Sequence, residues 1–73
     1  MQGYAGPRYM VVQTADDKVV AMLNQCGAVW CSKEQAYKIF LNPTAASYLQ
    51  NQSKRARLRV AFERLGARVR WII

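Results

Sequence analysis

Hydrophobic and polar positions change rhythm several times along this chain, and each change marks a candidate element. Near the C-terminal end Val69, Trp71 and Ile73 alternate with Arg68 and Arg70, the period of two that belongs to a half-buried strand. Arg8 to Gln13 contains the run Tyr9-Met10-Val11-Val12, whose β-branched and aromatic side chains favour a second strand. Thr14-Ala15-Asp16-Asp17 then supplies turn chemistry and Lys18 to Leu23 is again rich in valine, which favours a β-hairpin. A helix from about Ala15 competes with that reading. Thr14 and Asp17 mimic a capping box, and Val19, Met22, Leu23 and Cys26 keep helical spacing up to Gly27.

Gly27 to Cys31 reads as a third short strand that ends where Ser32 opens a helix, with Gln35 completing a capping pair and Ala36, Ile39 and Phe40 forming its apolar stripe. Asn42-Pro43 stops that helix and starts another over Pro43 to Gln50, Pro43 standing at the first helical position. Between Pro43 and Gly66 the apolar residues divide. Ala45, Leu49, Ala56 and Val60 fall on one side at about 100° per residue, and Leu58, Phe62 and Leu65 on nearly the opposite side. A break near Asn51-Gln52-Ser53 resolves the conflict, with Ser53 capping a helix from Lys54 to Leu65 that ends at Gly66; one continuous helix sandwiched between partners is the alternative. The expected fold is therefore α+β: residues 1–7 an irregular lead-in, and residues 8–73 a single small domain. In it an antiparallel sheet, made of an N-terminal hairpin and the C-terminal strand, packs against two or three short helices.

Composition narrows the function. A chain of 73 residues makes one domain and buries only about 60% of the surface its unfolded form exposes, so a deep substrate cleft is not expected. Histidine is absent, and the acidic residues are Asp16, Asp17, Glu34 and Glu63. General acid–base catalysis thus lacks its usual supplier, and the chain is expected not to be an enzyme. Cys26 and Cys31, with four residues between them and no histidine to join them, cannot complete a four-ligand zinc site; they read as reduced core or half-core residues of a cytoplasmic protein. No cofactor, small-molecule substrate or membrane span is expected.

Charge supplies the positive signal. Lys54, Arg55, Arg57, Arg59, Arg64, Arg68 and Arg70 face only Glu63 in the last twenty positions, a balance of 7 − 1 = +6, whereas residues 1–53 balance four cations against three anions, +1. So one-sided a charge repels itself in the free protein and points to an anionic partner, nucleic acid or an acidic protein surface. These seven cations are the candidate partner-binding residues. On the expected helix Arg55 and Arg59 lie on one flank of the Leu58-Phe62-Leu65 stripe and Arg57 and Arg64 on the other, with Arg59 also placed to pair with Glu63. Guanidinium groups suit phosphate and carboxylate alike because their planar fork donates in pairs. Of the aromatic residues, Phe40, Phe62 and Trp71 fall on expected core faces, and Tyr4 in the lead-in is the candidate for exposure. A helix-turn-helix over Ser32–Leu41 and Pro43–Gln50 would offer a recognition helix without a cation, a poor reader of DNA.

Three stretches, Met1-Gln2-Gly3-Tyr4, Ser32-Lys33-Glu34-Gln35-Ala36-Tyr37 and Lys54-Arg55-Ala56-Arg57-Leu58-Arg59, within a chain of this length, resemble the small phage-encoded transcription inhibitors and antiterminators of the Xanthomonas phage type that bind host RNA polymerase. The resemblance implies a protein of the bacterial host cytoplasm that binds near the N-terminus of the polymerase β′ subunit, blocks initiation and suppresses termination. It transfers no functional residue. The alternative expectation is a direct nucleic-acid-binding module with residues 54–70 along the phosphate backbone. Using about five cations, such a binder would show a log–log salt slope of roughly −4.5, whereas a docking module would co-purify with polymerase and bind free nucleic acid little.

Overall fold

A computed structural model describes residues 6–43, 45 and 47–73. The order of elements is β1 (Tyr9–Gln13), α1 (Asp17–Gln25), β2 (Val29–Cys31), β3 (Ala36–Phe40), α2 (Ser47–Gln50), α3 (Gln52–Arg64) and β4 (Arg68–Ile72). The four strands form one antiparallel sheet in the order β2-β3-β1-β4. The α+β class, the strands at β1, β2 and β4, and the pairing of β4 with β1 match the sequence reading. A radius of gyration of 12.1 Å is close to the roughly 11 Å of a single folded domain of this length. Met1 to Ala5, including Tyr4 and most of the expected lead-in, lie outside the described residues.

Three elements differ from expectation. The second arm of the N-terminal hairpin is the helix α1. Asp16 caps it, its carboxylate accepting from the backbone N–H of Lys18 at 2.7 Å and of Val19 at 3.4 Å, and the Thr14 hydroxyl accepts from the Asp16 N–H at 3.0 Å. Those bonds satisfy helix-start donors that have no intrahelical partner. Val19 and Leu23, one turn apart, are both fully buried, so helical spacing outweighs the strand preference of the valines. The hairpin partner was also closed to this segment, since both edges of β1 are occupied by β3 and β4.

The expected helix over Ser32–Leu41 is a four-residue turn followed by β3. Gln35 sits at φ +52°, and both its backbone N–H (3.3 Å) and its side-chain amide (2.6 Å) donate to the Ser32 carbonyl. The Ser32–Gln35 relation is therefore a hairpin turn between β2 and β3, without a capping box. No helix-turn-helix exists among the described residues.

In the expected helix Pro43–Gln50 only Ser47–Gln50 is helical; Pro43 and Ala45 lie in turn and bend conformations, and Thr44 and Ala46 lie outside the described residues. The expected break falls at Asn51 (φ −90°, ψ 6°), and Ser53 lies inside α3 and does not cap it. Across Asn51 the hydrogen-bond ladder persists, with Asn51 N–H to the Ser47 carbonyl and Arg55 N–H to the Asn51 carbonyl, both 2.9 Å. The α2–α3 pair is thus a kinked continuation. Gly66, at φ +86°, ends α3 as expected: its N–H bonds the Glu63 carbonyl and that of Ala67 bonds the Phe62 carbonyl, the paired geometry that only glycine enters without strain.

The register puts Met10, Val12, Ile39, Tyr37, Val69 and Trp71 on one sheet face. Met10, Val12 and Ile39 join Val19 and Leu23 of α1, Phe62 of α3 and Ala67 in the core cluster. The described helices α1 and α3 therefore pack on this face. The opposite face, carrying Tyr9, Val11, Lys38, Phe40, Arg68, Arg70 and Ile72 in register, has no described helix against it. That corrects the placement of Phe40, expected in the core and 58% exposed. Cys26, at the C-terminal cap of α1, is exposed against expectation, whereas Cys31 is half-buried, in line with the half-core reading, and neither forms a disulfide. Leu65, on the expected core stripe, is exposed, whereas Phe62 is fully buried and Trp71 packs partly buried against the core.

Candidate functional site: two cationic surfaces

The seven cations singled out from the sequence do not share one face. On α3 the buried direction is set by Phe62 and Arg55. Taking about 100° per residue, Lys54, Arg57 and Arg64 fall within an arc of about 80° on the solvent side, beside the exposed Val60. No ion pair engages these three among the described residues, which leaves their guanidinium and ammonium groups available. Arg59 lies on another flank and pairs with Glu63 at 3.7 Å, both side chains nearly half exposed, a contact that contributes little.

Arg55 points inward. It is only 9% exposed, its guanidinium donates to the Tyr48 carbonyl at 2.6 Å and lies 4.2 Å from the centre of the Tyr48 ring. Tyr48 in turn donates its hydroxyl to the Pro7 carbonyl at 2.7 Å. Arg55 therefore holds α2, α3 and the chain before β1 together, and is withdrawn from the exposed cluster. Such a role has no signature in the sequence, because it depends on the kink at Asn51.

Arg68 and Arg70 stand on the uncovered sheet face, on the side of the molecule opposite the helical layer. Arg70 donates to the Glu34 carboxylate at 2.5 Å, drawing the β2–β3 turn toward β4. This bond, with added attraction from Arg70, Lys38 and Lys33, holds the Glu34 carboxyl below the ordinary glutamate range.

Three further residues of this face were not among the sequence candidates. Tyr9 and Phe40 are register partners with ring centroids 5.5 Å apart, tilted by 48°, and the Lys38 ammonium lies 5.3 Å from the Tyr9 ring centre. The signal that could have found them is the alternation of Ala36, Lys38 and Phe40 with Tyr37 and Ile39, a period of two masked by the helical spacing of Ala36, Ile39 and Phe40.

Among the described residues no cluster of three His, Cys, Asp or Glu side chains could hold a metal ion, and no helix is long and apolar enough to cross a membrane. What the two surfaces offer is anion attraction, the sheet face adding aromatic rings. No family model, curated protein or solved structure matches the chain.

Proposed function

We propose that this protein is a non-enzymatic docking module that binds bacterial RNA polymerase through the outward face of α3, blocking initiation and suppressing termination in the host cytoplasm. The observation that carries the docking reading is the arc of Lys54, Arg57 and Arg64 with Val60 at its Arg57–Arg64 edge, cationic and without carboxylate partners among the described residues. Arginines beside an apolar side chain make effective anchors in a protein interface, and an acidic-rimmed partner answers their charge. Polymerase as the partner, near the N-terminus of β′, rests on the resemblance of the three sequence stretches alone.

The alternative, residues 54–70 as a continuous phosphate track, loses ground on geometry. Arg55 is turned inward, and Arg68 and Arg70 lie on the opposite layer. A duplex binder would retain the three cations of the α3 arc, with a salt slope of about −2.7.

The test uses purified core and sigma-containing polymerase in size-exclusion and run-off transcription assays. The chain should elute with polymerase and inhibit transcription, and Arg57→Gln with Arg64→Gln should weaken both by at least about tenfold. Absence of retention, or retention indifferent to both substitutions, refutes the reading.

A further inference from the structure

The uncovered sheet face carries a combination of groups that the docking role of α3 does not use. Phe40, at 58% exposure, is among the most exposed large apolar side chains of the fold. It leans on Tyr9, and Lys38 stands between them and the centre of the sheet. Val11 is covered although no helix lies over it, its register partners being Lys38 on one side and Arg70 on the other. Cations thus border a shallow aromatic floor. Glu34 reaches this face and is engaged by Arg70, while Glu63, paired with Arg59, lines the hollow at its Arg68 end.

We infer that this face binds single-stranded nucleic acid, with bases stacking on Phe40 and Tyr9 and phosphates held by Lys38, Arg68 and Arg70. Three interstrand spacings of about 4.8 Å make the face about 14 Å across, room for two or three unstacked bases on a four-stranded sheet with aromatic platforms. Base faces stack on aromatic rings irrespective of sequence. Duplex is a poor occupant, because its bases are already stacked on one another and are not free to lie on the Phe40 and Tyr9 rings. A second copy of the chain is disfavoured by charge. A two-fold symmetric contact through this face would set Lys38, Arg68 and Arg70 against the same three cations.

Glu34 adds a specific feature. Its carboxylate occupies the Arg70 guanidinium that a phosphate would use, so an incoming strand has to displace it. Removing that carboxylate should strengthen binding, an effect of opposite sign to any loss of folding.

The inference goes beyond polymerase docking and stands without it, since it concerns the opposite layer. The expectation of little binding to free nucleic acid then applies to duplex, with single strands the exception.

The experiment is fluorescence anisotropy with labelled oligothymidylate and oligouridylate of about a dozen nucleotides and a duplex of equal length, using the full chain. Single strands of one or both sugars should bind more tightly than duplex, with a salt slope of about −2 for three cations. Phe40→Ala should weaken binding about five- to a hundredfold with unchanged circular dichroism. Lys38→Gln should reduce the slope by about 0.7, and Glu34→Gln should tighten binding. Arg57→Gln with Arg64→Gln should leave it unchanged. Three results would each overturn the inference: affinity indifferent to both Phe40→Ala and Glu34→Gln; duplex bound as tightly as single strand; or no binding of either single strand, a dimer in sedimentation that Phe40→Ala dissociates then assigning the face to a second copy.

Discussion

Replacing Arg55 separates a structural cation from a binding one. In Arg55→Met the aliphatic stem keeps its packing, but the charged hydrogen bond to the Tyr48 carbonyl at 2.6 Å and the contact with the Tyr48 ring at 4.2 Å are lost. A hydrogen bond from a charged donor contributes about 1.5–3 kcal/mol, and a desolvated cation over an aromatic ring up to about 2 kcal/mol. The two share one guanidinium and do not add in full, so the combined loss is about 2–3 kcal/mol. A 73-residue domain has about 4–11 kcal/mol in total. The midpoint of thermal unfolding, followed by circular dichroism at neutral pH, should therefore fall by about 10–20 °C. Partner binding, measured well below that midpoint, should be retained. An unchanged melting temperature combined with lost binding would refute the inward placement of Arg55 and return it to the interface.

Further outcomes follow from other contacts. Phe62→Ala empties the largest fully buried site and should cost about 3–5 kcal/mol, enough to leave much of the chain unfolded in urea titrations at concentrations the parent tolerates. Asp16→Ala removes the cap of α1 and should lower stability by about 1 kcal/mol, whereas Asp16→Asn should recover most of it; equal losses in both would point to charge alone. Adding a Cβ at Gly6, at φ +148°, meets the Tyr48 hydroxyl, so Gly6→Ala should destabilise by about 1–3 kcal/mol, and Tyr48→Phe in the same chain should relieve part of that loss. For Glu34, the native carboxyl titrates below the unfolded one. Its tie to Arg70 is complete above the unfolded value and lost as pH falls through the lower native value. NMR titration should show the Arg70 side-chain signal changing only in that acidic window, and a change near neutrality would contradict the assignment.

How legible this protein is from its residues depends on the range of the interactions involved. β4 and β1 announce themselves through alternation and β-branched runs, and Gly66 marks the end of α3, because each is governed by neighbours in sequence. α1 was ambiguous: Val19-Val20 favours a strand locally, and the decision came from the Asp16 cap and from the burial of Val19 with Leu23. β3 was hidden because Ala36, Ile39 and Phe40 fit a helix and Ser32 with Gln35 imitates a cap. Pairing with β2 across the Ser32–Gln35 turn and with β1, more than twenty residues earlier, makes it a strand. The site divides in the same way. Arg57 and Arg64 fall on one flank of α3 from spacing alone, but the withdrawal of Arg55 to Tyr48 depends on a kink that no local pattern encodes, and the exposure of Phe40 on a strand whose period of two is masked by helical spacing.

The strand order has a consequence for how the chain comes to be assembled. β1 occupies the interior of the sheet, yet both of its neighbours, β3 and β4, are made after it. During synthesis its backbone donors and acceptors wait, first on one side and then on the other, and the second side is closed only by Arg68–Ile72. A product cut short before Arg68 would leave a bare apolar strand able to pair with other chains. Quality control of the chain should therefore turn on whether β4 is present.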